Sequence, residues 1–256
     1  MYIKTTGLVL RETEYKESSR ILTVLTPEGK LTVSARGAKR RGSGNTASTQ
    51  LFAYSDMTLF SQKGRCTLQE ARSLELFLGL RDDVALLALG SYFAELLDAL
   101  SDEDSPSPEL LSLGLNALFA LGESKRPPAL VKAAFELRLM CAAGFEPALD
   151  CCAVCGREEP EQPVLALSGG VLRCAACRGD AEPGGSAPLS KGVLDAMRYI
   201  ARCDIKKLCS FSAGEETIRS LGSVCESYLL AQMGGSFGTL DFYRSVAADE
   251  RTGPEI

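Results

Sequence analysis

Over the first 72 residues, apolar and polar side chains alternate with a period of two in short runs, and turn residues separate the runs. This is the pattern of half-buried strands. It predicts a strand from about Tyr2 to Leu10 and a second from Arg20 to Thr26, with Ile21, Thr23 and Leu25 on one face and Leu22 and Val24 on the other. Pro27-Glu28-Gly29 then supplies a turn, because proline presets the first turn residue and glycine accepts positive φ. Lys30 to Arg36 returns as the hairpin partner, with Leu31, Val33 and Ala35 inward. Leu51 to Ser61 and Arg65 to Ala71 form another hairpin about Gln62-Lys63-Gly64. Five short strands suit a small closed barrel, since closure removes the edges that invite aggregation.

After Leu80 the period changes. Asp82-Asp83 open a segment, Val84 to Leu100, that is apolar nearly all round and so belongs in a core. Acidic residues at its start suit the helix dipole. Ser101 to Pro108 breaks it before a second helix from about Glu109 to Leu121, and Pro127-Pro128 starts a third that runs to Ala143 before Gly144. A Gly/Pro-rich connector, Glu182 to Pro188, leads to helices near Lys191–Arg202 and Glu215–Gln232. The expected organisation is α+β and multidomain: an OB-fold β-barrel over residues 1–80, then an α-helical domain over residues 81–256 with a finger inserted at residues 149–179.

The finger is read from its cysteines. Cys152-x2-Cys155, 18 intervening residues and Cys174-x2-Cys177 have the spacing of two zinc knuckles joined by a hairpin, here Val164–Leu167 and Val171–Arg173 about Ser168-Gly169-Gly170. Cys151 is an alternative to Cys152, with a gap of three. The chain has ten cysteines and no histidine. With no secretory signal in the N-terminal residues and no long apolar run, the expected compartment is the reducing cytoplasm, where thiols stay free or bind metal. A closed four-thiolate shell without histidine implies one structural Zn²⁺ and no open catalytic position. The remaining cysteines, at positions 66, 141, 203, 209 and 225, are scattered as small core residues would be. No phosphate-binding G-x-x-x-x-G-K-[ST] loop, H-E-x-x-H or G-x-S-x-G motif occurs, which argues against an enzyme.

Charge adds a second candidate site. The formal net charge is −5, but residues 1–80 hold 12 Lys plus Arg against 7 Asp plus Glu, a net of +5, and the remainder holds 16 against 26, a net of −10. Within the basic part, Arg36, Lys39, Arg40 and Arg41 fall in six residues on a Gly/Ser-containing loop after a strand. Such a loop can follow a phosphate backbone without reading bases, or can be a solvated loop with no ligand. Lys16, Arg20, Lys63 and Arg65 are further phosphate-contact candidates. Tyr2, Tyr15, Phe52, Tyr54 and Phe60 either stack on bases or fill the barrel.

Four stretches, GLVLRETEYKESSRILTVLTPEGKLTVSARGAKR, LGLRDDVALLALGSYFAELLDAL, FELRLMCAAGFEPALDCCAVCG and YLLAQMGGSFGTLDFY, together resemble the bacterial RecO family of recombination mediators over nearly the whole chain. The resemblance implies a non-enzymatic DNA-repair protein, cytoplasmic and nucleoid-associated, that binds single- and double-stranded DNA and anneals complementary strands. It further implies work with RecR, and sometimes RecF, in loading RecA onto strands covered by single-stranded-DNA-binding protein. Carried to matching positions, it points to Arg36, Lys39, Arg40 and Arg41 for DNA and to the four cysteines for zinc. The family also binds the acidic tail of single-stranded-DNA-binding protein through its helical region, where Lys132 and Arg138 are the candidate charge partners.

Overall fold

A computed structural model describes residues 1–15, 17–38, 44–103, 105–123, 126–179 and 184–252. Five strands form the N-terminal barrel: β1 Tyr2–Tyr15, β2 Ser19–Thr26, β3 Gly29–Ala35, β4 Tyr54–Gln62 and β5 Arg65–Glu75. β1 is long enough to pair with β4 through its first half, Tyr2 to Leu8, and with β2 through its second, Leu8 to Tyr15. Around the barrel the order is β1-β2-β3-β5-β4, and a short parallel ladder closes it, with Val33 opposite Cys66 and Ser34 opposite Thr67. Closure brings Val9, Leu22, Val24, Val33, Ala35, Met57, Leu59 and Leu68 into one buried core. Val33 and Ala35 point inward as their alternation predicts, and Leu31 packs partly buried against the same core.

The chain separates into two compact units, Met1–Ser124 with Phe237–Ile256 as the first and Lys125–Ser236 as the second. The first unit therefore holds more than the barrel. It includes α1 Val84–Leu100, α2 Pro108–Glu123 and a C-terminal helix, Gly238–Thr252, which is α6 in chain order after three helices of the second unit. Asp83 caps α1, its carboxylate accepting from the N–H groups of Ala85 at 2.7 Å and Leu86 at 3.1 Å. α1 packs against α2, α6 and strands β1 and β2, which is why it is apolar nearly all round. Its far end grips the barrel: Lys30 Nζ donates to the carbonyl of Asp98 at 2.6 Å and to its carboxylate at 2.9 Å. At the neighbouring turn, Gly29 has φ +124°, and a Cβ there would lie 2.9 Å from the Asp102 carbonyl oxygen, so only glycine lets the β2–β3 hairpin meet the helix end. α6 carries no strong local signal in the sequence. Leu240 is buried, Phe237 meets Tyr92 with ring centroids 6.0 Å apart, and Thr239 binds the Glu95 carboxylate through both its N–H and its hydroxyl.

In the second unit, α3 Pro128–Ala142 packs against α4 Lys191–Arg202 and α5 Glu215–Met233. Inserted between α3 and α4 is a small sheet of β6 Val164–Ala166, β7 Val171–Arg173 and β8 Ser186–Pro188, ordered β7-β6-β8. Part of the expected connector is thus a strand, with Ala187 opposite Leu165 and Pro188 opposite Val164. Proline is tolerated there because β8 is an edge strand. No helix among the described residues is long and apolar enough to cross a membrane.

Candidate metal centre and nucleic-acid interface

The finger hairpin brings two knuckles together. In the first, the Cys152 carbonyl accepts from Gly156 N–H at 2.9 Å while Cys152 N–H donates to the Arg157 carbonyl at 2.9 Å. In the second, the Cys174 carbonyl accepts from the N–H groups of Cys177 and Arg178, each at 3.0 Å. The four sulfur atoms of Cys152, Cys155, Cys174 and Cys177 all lie within 4.8 Å of one another, and Cys155 and Cys174 approach to 3.8 Å. Cys151 is not one of this set. Such a cluster can hold a metal ion.

Its protonation is uneven. Backbone N–H groups of Cys155 and Val154 hold the Cys152 thiol down to about 6, whereas the sulfurs of Cys174 and Cys155 push Cys177 up to about 12. Neighbouring thiolates resist ionising together unless a cation offsets their charge, so the donor set fits a metal ion chemically as well as geometrically. The scattered cysteines behave differently. Burial raises the buried Cys225 well above the ordinary thiol value and lifts the half-buried Cys209 to about 11, while Cys66, Cys141 and Cys203 are also only half-buried.

Three residues that no local pattern reveals dock the finger on its own unit. Arg198 of α4 donates to the carbonyls of Leu149 at 2.9 Å, Asp150 at 3.0 Å and Glu158 at 2.8 Å, spanning the first knuckle, and also pairs with Glu159 at 3.1 Å. Gln232 of α5 donates to the Leu167 carbonyl at 2.7 Å, and the Tyr228 hydroxyl donates to the Phe145 carbonyl at 2.9 Å. The hairpin tip sits so close to α5 that a Cβ on Gly170, φ +60°, would meet the Tyr228 hydroxyl at 2.6 Å. These partners lie tens of residues away in sequence, beyond the reach of motif spacing.

On the barrel, a groove of about 850 Å³ runs over strands β2, β3 and β5 and is lined by Tyr15, Ser34, Arg36, Arg65 and Thr67 among others. Arg36 and Arg65 are exposed along it, and Lys63 is exposed at the adjacent β4–β5 turn. Lys16, Lys39, Arg40 and Arg41 lie outside the described residues. Arg20 is turned inward, its side chain only 13% exposed, with Glu12 at 3.0 Å and Thr49 Oγ1 at 3.3 Å. It also donates to the Thr46 carbonyl at 3.4 Å. Of the aromatic candidates, Phe52 is buried, Tyr54 and Phe60 are half-buried, and Tyr2 and Tyr15 are exposed.

Lys132 and Arg138, the candidate charge partners for an acidic tail, are both engaged inside the second unit. Lys132 is 6% exposed, and its ammonium donates to Glu136 at 2.6 Å and Glu226 at 2.7 Å. Burial alone would lower its pKa, but the two carboxylates override burial and hold it above the ordinary lysine value. Arg138 donates to the carbonyls of Ala201 at 2.5 Å and Ile200 at 3.4 Å. The i, i+4 spacing of Lys132 and Glu136 was visible in the sequence, but only the packing of α3 on α5 shows that the pair faces inward.

A closed barrel of OB type and a helical unit carrying a four-thiol hairpin define a class of protein that joins an OB-type barrel to a finger able to hold a metal ion. Comparison with known proteins narrows it. Residues 1–77 match the family model described as Recombination protein O N terminal, and residues 81–241 match Recombination protein O C terminal. The chain is 29% identical to the DNA repair protein RecO of Acetivibrio thermocellus, over 96% of this chain and 97% of the relative. It is 34% identical to that of Symbiobacterium thermophilum, over 88% and 90%, and 32% identical to that of Bacillus pumilus, over 89% and 88%. The chain belongs to the RecO family of DNA repair proteins.

Proposed function

We propose that the protein is a non-enzymatic mediator of DNA repair and homologous recombination that binds single- and double-stranded DNA through its barrel and anneals complementary strands. The carrying observation is the barrel groove edged by exposed Arg36 and Arg65 in a chain of a DNA repair family. Annealing requires no bond chemistry. It requires cations that reduce repulsion between two phosphate backbones while leaving bases free to pair. Arg36 and Arg65 in the groove, Lys63 beside it and the basic loop with Lys39, Arg40 and Arg41 supply that charge. The family reading adds RecR, RecF in some pathways, and single-stranded-DNA-binding protein as partners in loading RecA, within the cytoplasm at the nucleoid.

The ion of the finger is Zn²⁺ in this reading, held by Cys152, Cys155, Cys174 and Cys177. Zinc–thiolate bonds of about 2.3 Å in a tetrahedron place sulfurs about 3.8 Å apart, and the Cys155–Cys174 separation is 3.8 Å. The ion supplies structural crosslinking. The residues of the chain hold the knuckles and fasten them to α4 and α5.

An annealing assay with complementary oligonucleotides, at low salt and without ATP, tests the reading. Acceleration over spontaneous pairing is expected, and its absence would sink it. Replacing Arg36, Lys39, Arg40 and Arg41 together by alanine should weaken single-strand binding and flatten the log–log salt dependence by up to about 2 to 3 units, at roughly 0.7 per lost phosphate contact. An unchanged slope removes the loop from the interface. A second reading, a zinc-containing adaptor that mainly docks proteins at single-stranded DNA, is favoured by the net charge of −10 after residue 80. It predicts tight RecR binding and no effect on annealing.

A further inference from the structure

The ladder registers align one residue from each strand in a single row across the outer face of the barrel. Ile21 of β2 faces Ser34 of β3, Ser34 faces Thr67 of β5, Thr67 faces Phe60 of β4, and Phe60 faces Tyr2 of β1. The chain neighbours Leu22, Val33, Leu68 and Leu59 lie in the barrel core, so by alternation the row points outward. The row winds around the closed barrel, and with strands spaced about 4.8 Å apart the two steps from Thr67 in the groove to Tyr2 cover roughly 10 Å. That length spans a short run of nucleotides.

The chemistry changes along the row, which enters the groove at Ile21. Ser34 and Thr67 lie in the groove with Arg36 and Arg65. At the other end Tyr2 and Phe60 form a ring pair, centroids 5.3 Å apart and planes at 58°, with Tyr2 67% exposed. The charge around the pair is mainly positive. The Met1 ammonium is held on the Ser61 carbonyl at 3.0 Å, Lys4 lies on the same face of β1, and Lys63 is exposed three residues beyond Phe60. The acids on that face, Glu70 and Asp56, lie in the next two rows, which also carry Lys4 and Arg72. An exposed aromatic pair continuing a cation-edged groove has the makeup of a platform on which unpaired bases stack.

We propose that Tyr2 and Phe60 are the base-stacking end of a single-strand track that crosses the barrel, with its phosphates held at Arg36 and Arg65. This rests on the DNA-binding reading above and adds the residues that tell unpaired from paired bases. In a duplex the base faces are already stacked on their neighbours, so the aromatic end contributes to single-strand binding alone.

The chain contains no tryptophan, so Tyr2→Trp provides the only indole fluorophore. A thymine oligonucleotide should quench its emission along the same isotherm as the anisotropy of the labelled strand. An abasic strand of equal length should bind without quenching. In a second variant set, Tyr2→Ala and Phe60→Ala should each weaken thymine-oligonucleotide binding by about fivefold to a hundredfold, the equivalent of one lost stacking contact. Duplex affinity should stay within about twofold of wild type, which also shows that the barrel has folded. Anisotropy binding with unquenched indole, or equal quenching by the abasic strand, overturns the stacking assignment. No oligonucleotide binding by the wild-type protein at low salt overturns the DNA-binding reading itself.

Discussion

Cys174→Ser is expected to reduce bound zinc from one ion per chain to near none and to destabilise the second unit by about 4–5 kcal/mol or more, the range reached when a structural metal is lost. Cys174 is buried, and its N–H donates to the Cys152 sulfur at 3.4 Å, so the change removes a ligand at the point where the two knuckles meet. Hydrogen exchange should locate the damage. Amides of residues 149–179 should lose protection, while the barrel strands of the first unit keep theirs. Chelation of the wild-type protein should give the same exchange pattern. Full zinc occupancy in Cys174→Ser, read by elemental analysis, would refute the ligand assignment.

Lys132→Met should be nearly as damaging. It leaves the Glu136 carboxylate, fully buried, and the Glu226 carboxylate without the ammonium that both accept from. Breaking a buried ion pair by removing one partner typically costs about 3–5 kcal/mol, because the surviving charge stays desolvated. Replacing all three residues with apolar ones of similar volume should recover most of the loss. Urea unfolding monitored on the second unit measures both. A single-variant cost below about 1 kcal/mol would mean that the carboxylates are hydrated or protonated without cost. The folded pKa of Lys132 lies above its unfolded value of 10.5, so its contribution is complete below that pH and disappears only as pH rises through the folded value. The gap between wild type and Lys132→Met should therefore be unchanged from neutral pH to about pH 10 and should narrow beyond it.

The barrel was legible because its signal is local. Leu22, Val24, Val33 and Ala35 alternate with polar neighbours, and turn residues separate the runs, so strand, face and hairpin follow from a few adjacent positions. The finger was legible for a related reason. Two short cysteine spacings each specify a tight turn, and one ion needs both. α6 was not legible, because its packing on α1 joins residues more than 140 apart, Thr239 and Glu95 among them. Strand β8 was hidden by its composition: glycine and proline around it signal a loop, and edge pairing with β6 overrides that signal.

The candidate sites divide along the same line. Arg36 and Arg65 stand out in the sequence only as cations, and barrel closure through the parallel β3–β5 ladder brings them to one groove. The antiparallel β1–β4 ladder likewise aligns Tyr2, at the start of β1, with Phe60, far along the chain. Arg20 and Lys132 look like ordinary surface cations until packing turns them toward Glu12 and toward Glu136 and Glu226. By itself, then, the sequence determined the strand and helix periods, the turn chemistry and the four-thiol spacing, all of which depend on residues close along the chain. Only the tertiary structure decided which charges meet solvent, which helices accompany the barrel and which side chains fasten the finger. Those outcomes depend on contacts between residues far apart in the chain, and local periodicity carries no information about them.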